Sequence, residues 1–174
     1  TIFTLGLFYP VAVWLFKKYS LDNLYVGQLR FKLRAEWSAF MGAFYYPFLA
    51  FIALIGISGV VLWMFSGSLL NLGAQTIGYI FVGIYLTGLL FIWPLISART
   101  FIATWNNTTV SRSEFQTTCN QWRYAWIIVS NWFMKIITIG FMTPWAAIRL
   151  YRYQVESLSL HLKNDPDSMI NRIQ

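Results

Sequence analysis

The stretch that decides the fold is WSAFMGAFYYPFLAFIALIGISGVVLWMFSGSLLNLGAQTIGYIFVGIYLTGLLFIWPLISA, residues 37–98. It contains no Asp, Glu, Lys, Arg or His. The hydrocarbon core of a bilayer is about 30 Å thick, and an α-helix needs about 20 apolar residues to cross it. The stretch is therefore long enough for two crossings, and it predicts a membrane protein.

The composition of the whole chain agrees with this prediction. Of its 174 residues, 57% are hydrophobic and only 11% are charged, whereas charged residues make up about 25% of a soluble domain. The formal net charge is +7. In so apolar a chain we attribute the excess of Lys and Arg to loops on the cytoplasmic side of a membrane. The one cysteine, Cys119, excludes an internal disulfide and a multi-thiolate metal site.

Apolar segments divide the chain, which we take as a single membrane domain over residues 1–174. Residues 1–16 are expected to be the end of a span, because the chain opens inside an apolar stretch and its N-terminal part would be missing. Residues 38–65 and 72–96 are predicted spans, joined by a short turn rich in Gly, Ser and Asn. With a fourth segment, the predicted fold class is an all-α integral membrane protein with about four apolar helical segments.

The fourth segment, residues 124–148, has two possible topologies. Lys and Arg collect in residues 17–36, in residues 99–123 and in the tail at 149–174, so the positive-inside rule places all three in the cytoplasm. A single crossing cannot have both of its neighbours on one side. The segment is therefore either a re-entrant hairpin or a crossing that leaves the tail outside. Four residues weaken a continuous helix there: Lys135, Thr138, Gly140 and Pro144.

An internal repeat relates the first segment to the last. TLGLFYPVAVWLFKKYSLDNL (4–24) aligns with TIGFMTPWAAIRLYRYQVESL (138–158), and a fainter third copy begins at Pro94. In each copy we expect the end of an apolar helix, then a proline that kinks or ends it, then a basic turn leaving the membrane. The predicted helix hinges are Pro10, Pro94 and Pro144.

Two segments that follow these prolines predict short strands. LRFKLRA (29–35) alternates apolar and basic residues, which is the period of a strand. VSRSEFQTT (110–118) is a weaker candidate. Phe31 and Phe115 both lie 21 residues after their prolines. We expect the two segments to pair with each other in a small sheet at the cytoplasmic face.

The last copy of the repeat carries a family resemblance. TIGFMTPWAAIRLYRYQVESLSL (138–160), with Asn131 and Trp132 upstream, resembles the YjgN family of bacterial multi-pass inner-membrane proteins and their signature TLG-x-x-x-PWA-x-x-R-x-x-RY. The resemblance runs over nearly the whole chain and matches the C-terminal part of such proteins. The first copy departs from the signature by Val11 for Trp and Leu15 for Arg. The resemblance implies the bacterial inner membrane but no activity, because the family is largely uncharacterised.

The residues predict no catalytic, cofactor or metal site. His161 is the only histidine and lies in a polar tail, and Cys119 lies in a polar loop with no histidine close by to activate it. No acidic residue lies inside an apolar segment, which argues against proton-coupled transport. We therefore expect a protein that is not an enzyme and that needs no cofactor.

Basic residues near the apolar segments are the candidate contacts for anionic lipid headgroups or an anionic ligand, each worth about 1 kcal/mol near the surface. They are Lys17, Lys18, Arg30, Lys32, Arg34, Lys135, Arg149 and Arg152. Lys135 is the sharpest candidate, because a charge inside a membrane usually marks a functional site. The alternative is that it contacts backbone carbonyls or reaches the interface. Because Arg30 and its neighbours adjoin a span, membrane lipids are favoured as partners and nucleic acid is not.

Two functions stay open. A protein that binds, senses or moves lipids or small amphiphiles needs a hydrated cavity, lined by polar groups such as Asn71, Gln75 and Lys135. A structural or accessory subunit, packed against another membrane protein or a second copy of itself, would use small residues as packing seams. Those residues are Ala39, Ala43, Gly56, Gly59, Ala74, Gly78, Gly83 and Gly88.

Overall fold

The computed structural model describes residues 8–64, 74–110 and 113–161. Its helices are α1 Tyr9–Asp22, α2 Trp37–Met64, α3 Ala74–Trp105, α4 Gln121–Ile137 and α5 Thr143–Glu156. Its strands are β1 Tyr25–Val26, β2 Leu29–Leu33, β3 Thr108–Val110, β4 Ser113–Thr117 and β5 Leu158–His161. Several predictions fall outside the described residues: Thr4 and Gly6 of the repeat, Asn71 with most of its turn, and the tail beyond 161.

Helices α2 and α3 form a long antiparallel hairpin, in which Phe51 packs on Tyr85 with ring centroids 5.8 Å apart. Both helices are long and apolar enough to cross a membrane. Most of their large apolar side chains are nevertheless exposed; Ile57 is 63% exposed and Trp63 77%. Helices that are apolar all round are stable only in apolar surroundings, so the exposed surface of this hairpin suits lipid.

The two predicted spans correspond to these helices with one change of length. Residues 38–65 match α2, and residues 72–96 fall largely within α3, which continues to Trp105. Pro47 and Pro94 lie inside the two helices. Pro94 removes one backbone hydrogen bond from α3 but does not end it.

Small residues bring α2 and α3 together at a limited part of their length. A Cβ at Gly88 would overlap Cε2 of Phe51, so only glycine fits there without movement. Ala43 is also buried, at 6% exposure. Four other glycines have nothing within 4 Å of the place where a Cβ would be: Gly56, Gly59, Gly78 and Gly83. These four therefore form no seam between the described helices of the chain.

The fourth apolar segment is two antiparallel helices, α4 and α5, which is the backbone that the re-entrant alternative requires, while the side of a membrane on which each end lies stays a prediction. The chain reverses at Ile139 and Gly140, which have φ of +51° and +89°. Glycine adopts this left-handed conformation readily, whereas a β-branched residue does so only under strain. Asn131 Nδ2 donates to Ala146 O at 2.9 Å and holds the two helices side by side.

Two of the predicted hinge prolines begin helices. Pro10 and Pro144 lie in the first turn of α1 and α5, where an N–H would have no partner within the helix. Pro144 follows the end of α4 at Ile137 after a short reversal. The residues before Phe8 lie outside the described part of the chain, so the helix end expected before Pro10 stays a prediction. The residues predicted as a tail, 149–174, begin within α5, which carries Arg149 and Arg152 and continues to Glu156.

The five strands form an antiparallel sheet in the order β1-β2-β3-β4-β5. The sheet lies at the ends of α1, α3 and α5, each of which is followed by a strand. The fold is therefore mostly helical with a small antiparallel sheet. The predicted sheet is present, but the segments predicted to pair, 29–35 and 110–118, meet only at Phe31 and Val110, because most of the second segment is β4, on the far side of β3. Phe31 lies opposite Val110 of β3, and Phe115 lies opposite Leu160 of β5. The rings of Phe31 and Phe115 stack across β3, with centroids 6.0 Å apart.

Strand β2 shows the alternation that its sequence predicts, with buried apolar residues and exposed basic ones. Its apolar face packs on the ends of α1 and α2 in a buried cluster of Leu21, Leu33, Ala35 and Phe40. Trp14 Nε1 donates to Ala35 O at 2.8 Å and fixes α1 on this cluster. The basic side chains of β2 therefore lie on the face of the sheet away from the helices.

Candidate functional site

Three of the predicted cationic contacts, Arg30, Lys32 and Arg34, are exposed beside one another on the outer face of the sheet. Arg30 Nε donates to Asp22 O at 2.8 Å, and its guanidinium lies 5.7 Å from the ring centroid of Tyr25. Exposed cations on a flat surface suit contact with anionic headgroups more than enclosure of a small ligand.

Lys17 and Lys18 are neighbours on α1 but have different surroundings. Lys18 Nζ lies 4.9 Å from the ring centroid of Trp14. Lys17 instead borders a cavity of about 300 Å³, which is also lined by residues of α2, α3, α4 and α5. We call it the polar cavity. Lys17 is the one charged residue among those that line it.

The polar cavity combines an aromatic wall with a few polar groups. Tyr9, Phe44, Trp93 and Trp105 contribute rings. The polar lining residues are Lys17, Ser97, Thr100, Thr104, Tyr124 and Gln154. Thr100 Oγ1 is buried and has no hydrogen-bond partner. A buried unpaired hydroxyl costs about 1–3 kcal/mol, so a polar ligand atom at this position would be stabilising.

This lining differs from the predicted one. Gln75 is exposed near the start of α3, and Lys135 does not border the polar cavity. Lys135 lies in the last turn of α4, close to the reversal at Gly140 and not midway along a crossing helix. A lysine in the last turn complements the partial negative charge of a helix C-terminus, which gives Lys135 a structural reason to be there.

Arg149 takes part in a group of hydrogen bonds between α4 and α5, which we call the polar clamp. Arg149 Nη1 donates to Ser130 Oγ at 2.9 Å and to Asn131 Oδ1 at 3.3 Å. The amide of Asn131 donates to Ala146 O from its other side. Asn131 and Ala146 are only 4% and 1% exposed. The side chains of Arg149 and Asn131 are therefore hydrogen-bonded to each other, and these bonds connect the two short helices.

The signature residues around the clamp also have structural partners. Thr138 Oγ1 donates to Met134 O at 2.7 Å and closes the end of α4. The guanidinium of Arg149 lies 5.3 Å from the ring centroid of Trp145. Arg152 pairs with Glu156 at 2.7 Å on the surface, where such pairs contribute little. The signature residues thus build the hairpin, and the cavity lies beside it.

A second concave surface lies on α2 and α3 and ends at Arg99. Its apolar section has a volume of about 690 Å³ and lies beside Pro47, Gly83, Leu95 and Trp122. A polar section of about 500 Å³ is bordered by Ser38, Tyr46, Arg99 and Gln121. Leu95 of the apolar section lies four residues before Arg99, and Ala43 of the polar section lies four residues before Pro47, so the two sections follow the same faces of α2 and α3. We call them together the Arg99 groove.

Sequence reasoning missed Arg99, Thr100 and Gln154. Arg99 could have been found, because it is the first charged residue after the uncharged stretch 37–98. Thr100 and Gln154 carry no comparable signal: they are ordinary polar residues until α3 and α5 bring them to one cavity.

Cys119 and His161 lie at the sheet, apart from both concave surfaces. Cys119 is half-buried between β4 and α4, and burial raises the pKa of its thiol, which reduces its reactive thiolate fraction. His161 ends β5 opposite Glu114. Over residues 8–64, 74–110 and 113–161, no group of three His, Cys, Asp or Glu residues could hold a metal ion.

Comparison with known proteins gives one match. A family model described as a bacterial protein of unknown function, DUF898, matches residues 1–174. No curated protein and no solved structure matches the chain.

Proposed function

The chain belongs to the bacterial family of unknown function DUF898, and we propose that it is a non-enzymatic, multi-pass inner-membrane protein that binds or moves lipids or small amphiphiles. The polar cavity carries this proposal. It offers apolar rings, one cation at Lys17 and an unpaired buried hydroxyl at Thr100. A ligand with an apolar body and an anionic or hydrogen-bonding end would match all three features.

In the proposed topology, α2 and α3 cross the membrane and the sheet lies on the cytoplasmic side, where its basic outer face meets anionic headgroups. At 1.5 Å per residue, α4 rises about 25 Å and α3 about 48 Å. The α4–α5 hairpin would then enter the bilayer from the cytoplasmic side without crossing it. Its tip carries Ile139 and Phe141, which are 91% and 89% exposed, as lipid contact would require.

The element positions also support a threefold repeat. Strands β2 and β4 have equal length and lie 84 residues apart; so do Pro10 and Pro94. The register is the same in both β-hairpins, with Val26 opposite Leu29 and Val110 opposite Ser113. We infer a repeated unit in which a helical hairpin leads into a β-hairpin. The α4–α5 hairpin is then a short counterpart of the α2–α3 hairpin.

Cysteine labelling tests the topology. With an impermeant maleimide, native Cys119 should react only in inverted membrane vesicles. In a Cys119→Ser background, Met64→Cys should react only from the opposite side, and Ile139→Cys from neither. Labelling of Met64→Cys and Cys119 from one side, or of Ile139→Cys from the periplasm, would contradict the proposed arrangement.

Native mass spectrometry tests the binding function. We expect the full-length protein, extracted with its own lipids and without overexpression, to carry a bound small molecule or lipid. Lys17→Gln should weaken its retention, because the cation borders the polar cavity. Lys18→Gln is the matched control, since Lys18 lies on Trp14 instead. Equal retention by both variants and the unaltered protein would exclude the polar cavity as the site.

One observation favours the second function, an accessory subunit. The open positions at Gly56, Gly59, Gly78 and Gly83 would let another membrane helix approach closely. Gly59→Leu should then release a stoichiometric protein partner or a second copy from the native complex. A protein that stays monomeric and without a partner in native membranes would rule this function out.

A further inference from the structure

The Arg99 groove lies on a different face of α3 from the polar cavity: Leu95 and Arg99 line the groove, whereas Thr100 and Thr104 line the cavity. Its apolar section is lined mainly by aliphatic and aromatic residues of α2 and α3, with Trp122 at one side. In its polar section, Arg99 is the one charged lining residue. The groove thus changes from apolar to cationic along its length.

Arg99 is arranged to receive an anion. Its guanidinium lies 5.4 Å from the ring centroid of Tyr46, which holds the plane of the group while leaving its edge for hydrogen bonds. A guanidinium carries five N–H donors and no acceptor. Within the described residues, Arg99 forms no ion pair. Ser38 and Gln121 border the same section and can add hydrogen bonds.

The depth of Arg99 suits a phospholipid headgroup. It follows Tyr79 by 20 residues on α3, which is about 30 Å of helix and equals the thickness of the hydrocarbon core. Tyr79 is 76% exposed near one end of the helix, as an interfacial tyrosine would be. Arg99 then lies at the opposite, cytoplasmic interface. The apolar section extends from it toward the membrane interior.

We propose that the Arg99 groove binds one anionic phospholipid. Arg99 holds the phosphodiester through charge-assisted hydrogen bonds, with Ser38 and Gln121 beside it. An acyl chain lies along the apolar section past Gly83. With no acidic residue among those that line the groove, a phosphatidylglycerol headgroup is favoured over a zwitterionic one. This inference rests on the membrane placement in the proposed function and adds a second, lipid-specific site.

Two pairs of variants probe the two ends of the groove. Arg99→Gln removes the cation, and Arg123→Gln is its control, because Arg123 lies over Tyr153 and does not border the groove. Gly83→Leu fills the apolar section, and Gly78→Leu is its control. Neither glycine has an atom within 4 Å of the added Cβ, so the Cβ of each leucine has room, and the comparison is made only between variants of equal thermal stability.

The experiment is native mass spectrometry of the delipidated full-length protein with added phosphatidylglycerol, at matched thermal stability. We expect Arg99→Gln and Gly83→Leu each to lower retention about tenfold, with both controls unchanged. Retention equal to the unaltered protein in both variants would overturn the proposal while leaving the membrane function intact. Complete absence of phosphatidylglycerol binding by the unaltered protein would also overturn the proposal, whereas the polar cavity is tested separately by the retention of its native ligand in Lys17→Gln. A lipid-independent dimer broken by Gly83→Leu would assign the groove to a second copy and also overturn it.

Discussion

The two helical hairpins of this chain rise from the same sheet and are held together differently. In α2–α3, helices of 28 and 32 residues meet where Gly88 lies against the ring of Phe51. In α4–α5, helices of 17 and 14 residues are joined by the polar clamp around Asn131. One hairpin relies on close contact between apolar surfaces and the other on hydrogen bonds.

The difference follows from what surrounds each hairpin. In the proposed topology α2 and α3 are surrounded by lipid. Lipid is as apolar as their side chains, so burial gives these helices little reason to associate, and small residues that allow close packing matter most. The shorter hairpin carries Arg149, a cation that must find polar partners wherever it is buried. Asn131 supplies such a partner and also binds α5 directly.

The largest effect is expected from breaking the polar clamp. Asn131→Leu removes the hydrogen bond from α4 to Ala146 O and leaves Arg149 with one acceptor fewer, at buried Asn131 and Ala146 beside half-buried Arg149. We expect a loss of about 2–3 kcal/mol in the free energy of unfolding, measured by thermal or denaturant unfolding in detergent. Arg152→Leu is the control, because its exposed pair with Glu156 should matter little. Equal stability of the two variants would show that hydrogen bonds do not hold the short hairpin.

A smaller effect is expected from closing the glycine contact of the long hairpin. In Gly88→Ala the new methyl group overlaps the ring of Phe51, and overpacking of this kind costs about 1–3 kcal/mol. Gly83→Ala is the control, because its position is open. Adding Phe51→Leu to Gly88→Ala should restore stability. If Gly88→Ala is as stable as Gly83→Ala, the two helices are not held by this contact.

The two hairpins also differ in how far their structure could be predicted from the sequence. The long hairpin followed from sequence because 37–98 lacks charge altogether, and β2 followed because Arg30 and Lys32 alternate with apolar residues. The short hairpin stayed ambiguous, because an apolar stretch with one lysine is compatible with both a crossing and a reversal. Its reversal depends on the backbone at Ile139 and Gly140. The polar cavity depends on contacts between distant segments, which no local pattern records.

A substitution at the reversal of the short hairpin is expected to raise stability, whereas the two substitutions above lower it. Ile139 has a left-handed backbone, which costs an L-residue about 1–2 kcal/mol. Ile139→Gly should therefore stabilise the detergent-solubilised protein by about 1 kcal/mol, whereas Ile136→Gly, inside α4, should destabilise it by a similar amount. Unfolding measurements compare the two. If Ile139→Gly also lowers stability, the apolar contact of the tip outweighs its backbone strain.

The smallest effect concerns Cys119, at the base of the short hairpin. Burial raises the pKa of its thiol above the usual range, although contacts with Tyr153 and Ser157 oppose the shift. Maleimides react with the thiolate, and below a thiol's pKa the thiolate fraction rises about tenfold per pH unit. Labelling of Cys119 should therefore be slower at pH 7 than that of the exposed Met64→Cys, and it should still be increasing at a pH where the exposed thiol has levelled off. Unfolding the protein should remove the difference. Identical pH profiles of Cys119 and Met64→Cys in the folded protein would contradict this prediction. They would mean that water reaches Cys119 as freely as it reaches residue 64.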